Sequence, residues 1–357
     1  MRRWPSMPFD DVEMIQRTPM DRGGPDDLVP PESASQAPGP DIDRAGLDVI
    51  GDVHGYASRL VRLLEQLGYR DEHGSWRHPT RRAVFVGDLI DRGPQQLQTL
   101  RIVRPMVDAG AAEVVMGNHE FNAIAYATVN PATLDYCRTH DEKHEGQHRA
   151  FLAEVGFDTP LHREIVAWFR RIPLWLERNG LRVVHACWSE RHLDVLRREL
   201  GGSLLDDQAI IEGTRRGSPL YDAIEVVLKG PEIGLGGAWY PDKEGNRRWK
   251  ARLRWWDPQA TSLPAAMMIP ADTTFYDATD VALPRPPTGD VPPSDLIDRD
   301  ASRPVLFGHY WWRRNSAEPV RRNATCIDYS VAAGGVLAAY RWNSGDTHLN
   351  ADRLVEV

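Results

Sequence analysis

Leu47-Asp48-Val49-Ile50-Gly51-Asp52-Val53-His54-Gly55 is a short apolar run that stops at a glycine and then presents an aspartate and a histidine. The same grammar returns in Ala83-Val84-Phe85-Val86-Gly87-Asp88-Leu89-Ile90-Asp91-Arg92-Gly93-Pro94, and again in Glu113-Val114-Val115-Met116-Gly117-Asn118-His119-Glu120. Between the runs, Leu60, Leu63, Leu64 and Leu67 recur at helical spacing, and Gln95–Val107 has a helical pattern that Pro105 should bend or shorten. Strand, turn and helix in repetition predict crossover connections and a buried parallel sheet. Open α/β sheets place ligands at the carboxyl ends of their strands, which is where the polar residues fall.

Outward from this block the chain is less regular. After Glu120 the pattern is helical to about Arg171. Leu174–Arg178 and Leu181–His185 flank Asn179-Gly180, a two-residue hairpin signal. Leu228–Trp256, with its glycines and alternating Ala251-Arg252-Leu253-Arg254-Trp255-Trp256, reads as β-rich, and Val305–Phe307, Ala324–Asp328 and Val336–Trp342 read as closing strands. Residues 1–45 carry eight prolines and little to bury, which predicts a disordered tail. The expected organisation is therefore a single domain over 46–357, with 190–300 as a cap or insertion.

Composition removes several classes. The chain has 357 residues and a net charge of −8, an acidic balance that argues against a stable nucleic-acid partner. Three cysteines build no disulfide framework, and no apolar run reaches the roughly 20 residues of a membrane span. The amino terminus lacks the apolar stretch of a secretory signal, so the expected location is cytoplasmic.

The polar residues at the strand ends carry the chemistry. Asp52, His54, Asp88, Asn118, His185 and His309 would gather at one sheet edge, with Asp91, Arg92 and His119 beside them. Carboxylate oxygen and imidazole nitrogen together suit Mn²⁺, Fe²⁺ or Zn²⁺. Six such groups exceed the needs of one ion, so two divalent metal ions are the economical reading, and metal pairs of this kind hydrolyse phosphate esters and anhydrides. Glu120 reads as a structural carboxylate in a first helical turn.

The set GDVHG, GDLIDRGP and GNHE, with a later His-Ala and a later Gly-His, resembles the calcineurin-like metallophosphoesterases, and within them the phosphoprotein-phosphatase branch that includes bacterial symmetrical dinucleoside tetraphosphatases. The resemblance covers about residues 46–128, 172–190 and 304–343. It implies a four-layered α/β/β/α sandwich. It also implies that Asp52 and His54 bind a first metal, that Asp88 bridges both, and that Asn118, His185 and His309 bind a second. His119 and Asp91 would form an acid pair that protonates the leaving oxygen. Arg92 would grip phosphate oxygens, with Asn118 and a second arginine, Arg252 or Arg254, also facing the substrate. The implied reaction is phosphoester or phosphoanhydride hydrolysis by metal-bound hydroxide, on dinucleoside polyphosphates or other small phosphorylated molecules. A phosphoprotein Ser/Thr phosphatase and a catalytically silent metal-binding scaffold are the alternatives.

Some features carry a blander reading. His140, His144 and His148 recur every fourth residue and read as one solvated helical face. Trp188 stands where the resemblance expects a glycine, which would reshape the pocket. Trp239, Trp249, Trp255, Trp256, Trp311 and Trp312 serve core packing as readily as base stacking. Because the metal-binding histidines must be neutral, metal loss in mild acid is expected.

Overall fold

The computed structural model describes residues 46–242, 245–270, 272–292, 296, 303–312 and 322–357; the segment 1–45 read as a tail lies outside them. The chain runs β1 (Gly46–Ile50), α1 (Ala57–Leu67), β2 (Arg70–Glu72), β3 (Ser75–Arg77), β4 (Arg81–Phe85), α2 (Gln96–Asp108), β5 (Ala112–Val114) and α3 (Asn118–Ala127). Next come α4 (Glu142–Val155), α5 (Pro160–Phe169), β6 (Trp175–Arg178), β7 (Leu181–Val184), α6 (Glu190–Leu200), α7 (Asp207–Thr214) and α8 (Pro219–Lys229). Short strands β8 (Glu232–Gly234), β9 (Tyr240–Pro241), β10 (Arg247–Arg248) and β11 (Lys250–Arg252) precede α9 (Leu263–Ala266). The chain closes with β12 (Val305–Phe307), β13 (Ala324–Cys326), β14 (Ala338–Trp342) and β15 (Leu354–Glu356).

Two sheets organise these elements. One has the order β15-β14-β1-β4-β5, the other β13-β12-β7-β6. In the first, β1, β4 and β5 are parallel, as their crossover helices require, while β14 and β15 add antiparallel edges. In the second, β7, β12 and β13 are parallel and β6 closes the Asn179-Gly180 hairpin. Asn179 and Gly180 both take positive φ (51° and 77°), the conformation a tight hairpin turn demands.

Alternation along the strands builds the sandwich. Leu47 and Val49 of β1 and Val84 of β4 join Leu181 and Val183 of β7 and Leu306 of β12 in one apolar cluster, so these faces of the two sheets pack on each other. Ile50, Ala83 and Phe85 point the other way and join the helices. Helix α1 shows the local logic: Leu60, Leu63, Leu64 and Leu67 are buried on one stripe, and Gly68 ends the helix at φ 96°, with its N–H bonded back into the last turn. Leu64→Ala there would cost about 2–5 kcal/mol.

Three sequence expectations change. Helix α2 continues through Pro105 to Asp108, although the proline has no N–H to donate to the Arg101 carbonyl. The helical stretch after Glu120 is interrupted: residues 128–141 form a loop before Asp141 caps α4. Residues 190–229 are three helices, and Leu193, Ile210 and Ile224 belong to the large apolar core. The β-rich reading of Leu228–Trp256 holds, and Leu235, Ala251, Leu253 and Leu263 there make a small core of their own.

Candidate metal centre and acid pair

The loops that follow β1, β4, β5, β7, β12 and β13 meet at one edge. Close approach is built in: a Cβ at Gly308 would lie 2.0 Å from Asp52 Oδ1, and Gly87 (φ 95°) lies against the backbone of Gly117. His54, Asp88, Asp91, Arg92 and His309 all hold left-handed φ, between 47° and 73°. Such strain costs roughly 1–3 kcal/mol per residue and persists where the surroundings over-determine the backbone. Glu120 supplies part of that constraint, as its carboxylate accepts the backbone N–H groups of Asp88 (2.9 Å), Leu89 (2.8 Å) and Gly117 (3.0 Å). Burial, with Asp88 nearby, pushes Glu120 up to about 7.

Two clusters of donors share Asp88. His54, Asp88 and His119 form one; Asp88, His185 and His309 form the other. The hydrogen bonds fix the tautomers. His54 Nδ1 faces Ile90 O (3.1 Å) and His185 Nδ1 faces Val86 O (2.7 Å). A carbonyl only accepts, so both Nδ1 atoms carry the proton and both Nε2 atoms offer a lone pair. His185 Nε2 then faces Asn118 Oδ1 at 3.1 Å and Asp88 Oδ1 at 3.4 Å. Three acceptors directed at one another repel unless a cation stands among them. His54 Nε2 and His309 Nε2 are buried with no hydrogen-bond partner among the described residues. Burial lowers the pKa of His54 to about 3 and also lowers those of His185 and His309, so all three stay in the ligating form.

Asp52 accepts the backbone N–H of His309 at 3.2 Å. Burial and the nearby Asp328 and Asp88 carboxylates push it well up. Burial, with Asp88, likewise raises Asp328 to about 6. Burial acts upward on Asp88 too, but His185, His119 and His54 together hold it down to about 2. Crowded buried carboxylates beside unpartnered imidazole nitrogens are the donor set that divalent cations need, so the residues fit a metal site.

The acid pair differs in character. His119 Nδ1 lies 2.6 Å from Asp91 Oδ2. Burial disfavours the imidazolium, but Asp88 and Asp91 outweigh it and raise His119. Arg92 lies on the exposed side, its guanidinium stacked 4.2 Å over the Trp311 ring. On the Arg252-Leu253-Arg254 stretch, the charge of Arg252 acts on His309. Arg254 donates its backbone N–H to Ala266 O and is half-buried.

Other residues take places the sequence left open or misassigned. His148 does not belong to a solvated face: it is buried, and its Nδ1 lies 2.9 Å from Asp91 Oδ1. Its stripe was readable, since Phe151, Leu152 and Val155 follow at i+3, i+4 and i+7. Asp328, after β13, repeats the strand-then-Asp grammar of Asp52 and Asp88 and accepts the N–H groups of Trp311 and Ser330. Trp188 is buried in the core with Arg182 stacked 4.8 Å over it. Trp255 and Trp256 are likewise core residues, packed on Phe307.

Residues 47–215 match the calcineurin-like phosphoesterase family. The chain is similar to the bis(5'-nucleosyl)-tetraphosphatase PrpE (asymmetrical) of Halalkalibacterium halodurans, 49% identical over 73 residues that span 20% of this chain and 30% of that relative. It is 28% identical over 297 residues to the symmetrical bis(5'-nucleosyl)-tetraphosphatase of Janthinobacterium sp. (strain Marseille), covering 81% of this chain and 90% of the relative. Among solved structures, a putative diadenosine tetraphosphatase aligns over 89% of this chain and 95% of its own, at 16% identity and a TM-score of 0.42.

Proposed function

We propose that the protein is a two-metal phosphohydrolase acting on dinucleoside polyphosphates or other small phosphorylated molecules. The observation that carries this is the facing trio of His185 Nε2, Asn118 Oδ1 and Asp88 Oδ1, set beside a His119 whose Nδ1 rests 2.6 Å from Asp91 Oδ2. Asp52, His54 and Asp88 would hold one divalent ion, and Asp88, Asn118, His185 and His309 the other. Mixed oxygen and nitrogen donors suit manganese, iron or zinc. Bound there, the ions supply Lewis-acid stabilisation of phosphoryl oxygens and activate water as a nucleophile.

The chain's own groups do the rest. Arg92, pre-positioned on Trp311, grips non-bridging oxygens through its fork. His119 keeps Nδ1–H on Asp91 and delivers the proton of Nε2 to the leaving oxygen. Arg252, whose charge acts at His309, and Arg254 are the candidates for a second phosphate clamp. Residues 46–357 act as one domain, with 190–300 as its cap, and the three free cysteines among the described residues suit a cytoplasmic setting. No helix of the described residues is long and apolar enough to cross a membrane.

The relatives' names support the nucleotide class. The test is hydrolysis of diadenosine tetraphosphate against a phosphoserine peptide by the full chain with Mn²⁺. Faster release of nucleotide products is expected. Faster dephosphorylation of the peptide would move the assignment to a protein phosphatase, and metal binding without any turnover would leave a scaffold.

A further inference from the structure

We propose that His148 is a positioning residue for the acid pair: it locks the Asp91 carboxylate so that His119 presents its proton to the leaving oxygen. The inference rests on the phosphohydrolase reading of this site. Asp91 has two carboxylate oxygens, and each is taken by one imidazole. Oδ2 faces His119 Nδ1 at 2.6 Å, and Oδ1 faces His148 Nδ1 at 2.9 Å. A carboxylate only accepts, so both nitrogens carry protons.

The surroundings of His148 hold its ring in place. Its Nε2 is buried with no partner among the described residues. Phe151 stacks on the ring at 5.0 Å and Tyr126 meets it edge-on at 5.4 Å. These rings fix the imidazole plane, and His148 in turn fixes the carboxylate plane of Asp91 from the side opposite His119. The backbone is held as well, since Asp91 N–H donates to Gln96 Oε1 at 2.6 Å. Helix α4 carries His148 and also anchors α2, with Glu154 accepting the N–H groups of Gln96 (2.8 Å) and Leu97 (2.9 Å). Without His148, Oδ1 would be buried and unpaired, and the carboxylate would be free to turn under His119.

A weakened proton donor hurts poor leaving groups most. The full chain with Mn²⁺ is assayed on p-nitrophenyl phosphate, whose leaving group needs little protonation, and on phenyl phosphate, which needs more. His148→Leu is expected to lower kcat about tenfold more on phenyl phosphate, with KM within about twofold on both. His148→Asn, which keeps a donor one bond from Cγ, should recover most of the loss. In a His119→Ala background, His148→Leu should add nothing further. Equal losses on both substrates, or losses that add to those of His119→Ala, would overturn the proposal. If His148→Leu fails to fold, His148→Gln, which displaces the donor by one carbon, takes its place.

A second readout needs no turnover. Histidine-selective ¹⁵N NMR should show a slowly exchanging, downfield Nδ1–H for His119 in the wild type and in His148→Asn, broadened by exchange in His148→Leu. An unchanged signal in His148→Leu would overturn the positioning role. A wild type inactive on both aryl phosphates and on diadenosine tetraphosphate would sink the phosphohydrolase reading and leave the NMR result to decide His148.

Discussion

The site holds two kinds of histidine. His54 and His185 anchor Nδ1 on backbone carbonyls, and burial keeps them neutral. His119 and His148 anchor Nδ1 on one carboxylate, Asp91, and His119 is raised. One ring, in one strand-end neighbourhood, is thus set to two tasks by what its Nδ1 touches. A carbonyl partner orients a lone pair without adding charge, which suits a ligand; a carboxylate partner favours the imidazolium, which suits an acid. Asp88 stands between the groups, within 3.4–3.8 Å of His54, His119 and His185.

Removing Asp88's charge should therefore break both halves at once. Asp88→Asn is expected to lower kcat by about a thousandfold or more, and the Mn²⁺ retained after gel filtration should fall below half the wild-type content. Retention of full metal content would remove Asp88 from the bridging position. The next test separates the halves. His119→Ala should cost about a hundredfold to a thousandfold in kcat with metal content intact. His54→Ala should lose metal and regain activity as Mn²⁺ is raised, with about ten- to hundredfold weaker binding. If both variants behaved alike in a metal titration, the division into two classes would fail.

The comparison also shows what the sequence disclosed. Gly-Asp or Gly-Asn after a run of apolar residues marks a strand end, so Asp52, Asp88 and Asn118 were readable locally, and His185 and His309 followed from their strands. His148 was not, because its partner Asp91 lies 57 residues away and regular spacing with His140 and His144 suggested a shared face. That face does not exist, as α4 begins only at Glu142. Helices α6–α8 also stayed unread. Yet their signals were present: Leu193, Leu196 and Leu200 recur at helical spacing in α6, and Asp206 and Ser218 cap α7 and α8 through their side chains. β15 pairs only with β14, and three residues carry too little pattern to announce an edge strand.

The pH dependence of metal binding sharpens the comparison further. From ordinary imidazole behaviour, three ligands would each compete with protons below about pH 6.5. Burial changes this. Burial lowers His54 to about 3 and also lowers His185 and His309, so in mild acid these three release fewer protons to a metal than ordinary imidazoles would. The raised carboxyl of Asp52 works in the opposite direction, since it holds a proton that a metal must displace. Mn²⁺ should therefore bind more weakly at pH 5.5 than at pH 6.5, by no more than about tenfold for one proton, and Asp52→Asn should flatten the slope. A loss of about a thousandfold over that unit, three protons' worth, would show the histidines titrating normally.

The smallest effect concerns the charge that belongs to neither histidine class. Arg92 is exposed at φ 73°, and its guanidinium rests 4.2 Å over Trp311. Trp311 is itself held by its N–H donating to Asp328 Oδ2 at 3.0 Å, which ties the loop after β12 to the one after β13. An exposed cation–π contact contributes about 0.5–1 kcal/mol, which converts to a factor of about two to five. Trp311→Ala should raise KM for an aryl phosphate by that factor and leave kcat and metal content nearly unchanged, because Arg92 keeps its charge and loses only its preset direction. A large fall in kcat instead would place Trp311 among the groups that set the acid pair, and the separation between binding and proton delivery would no longer hold.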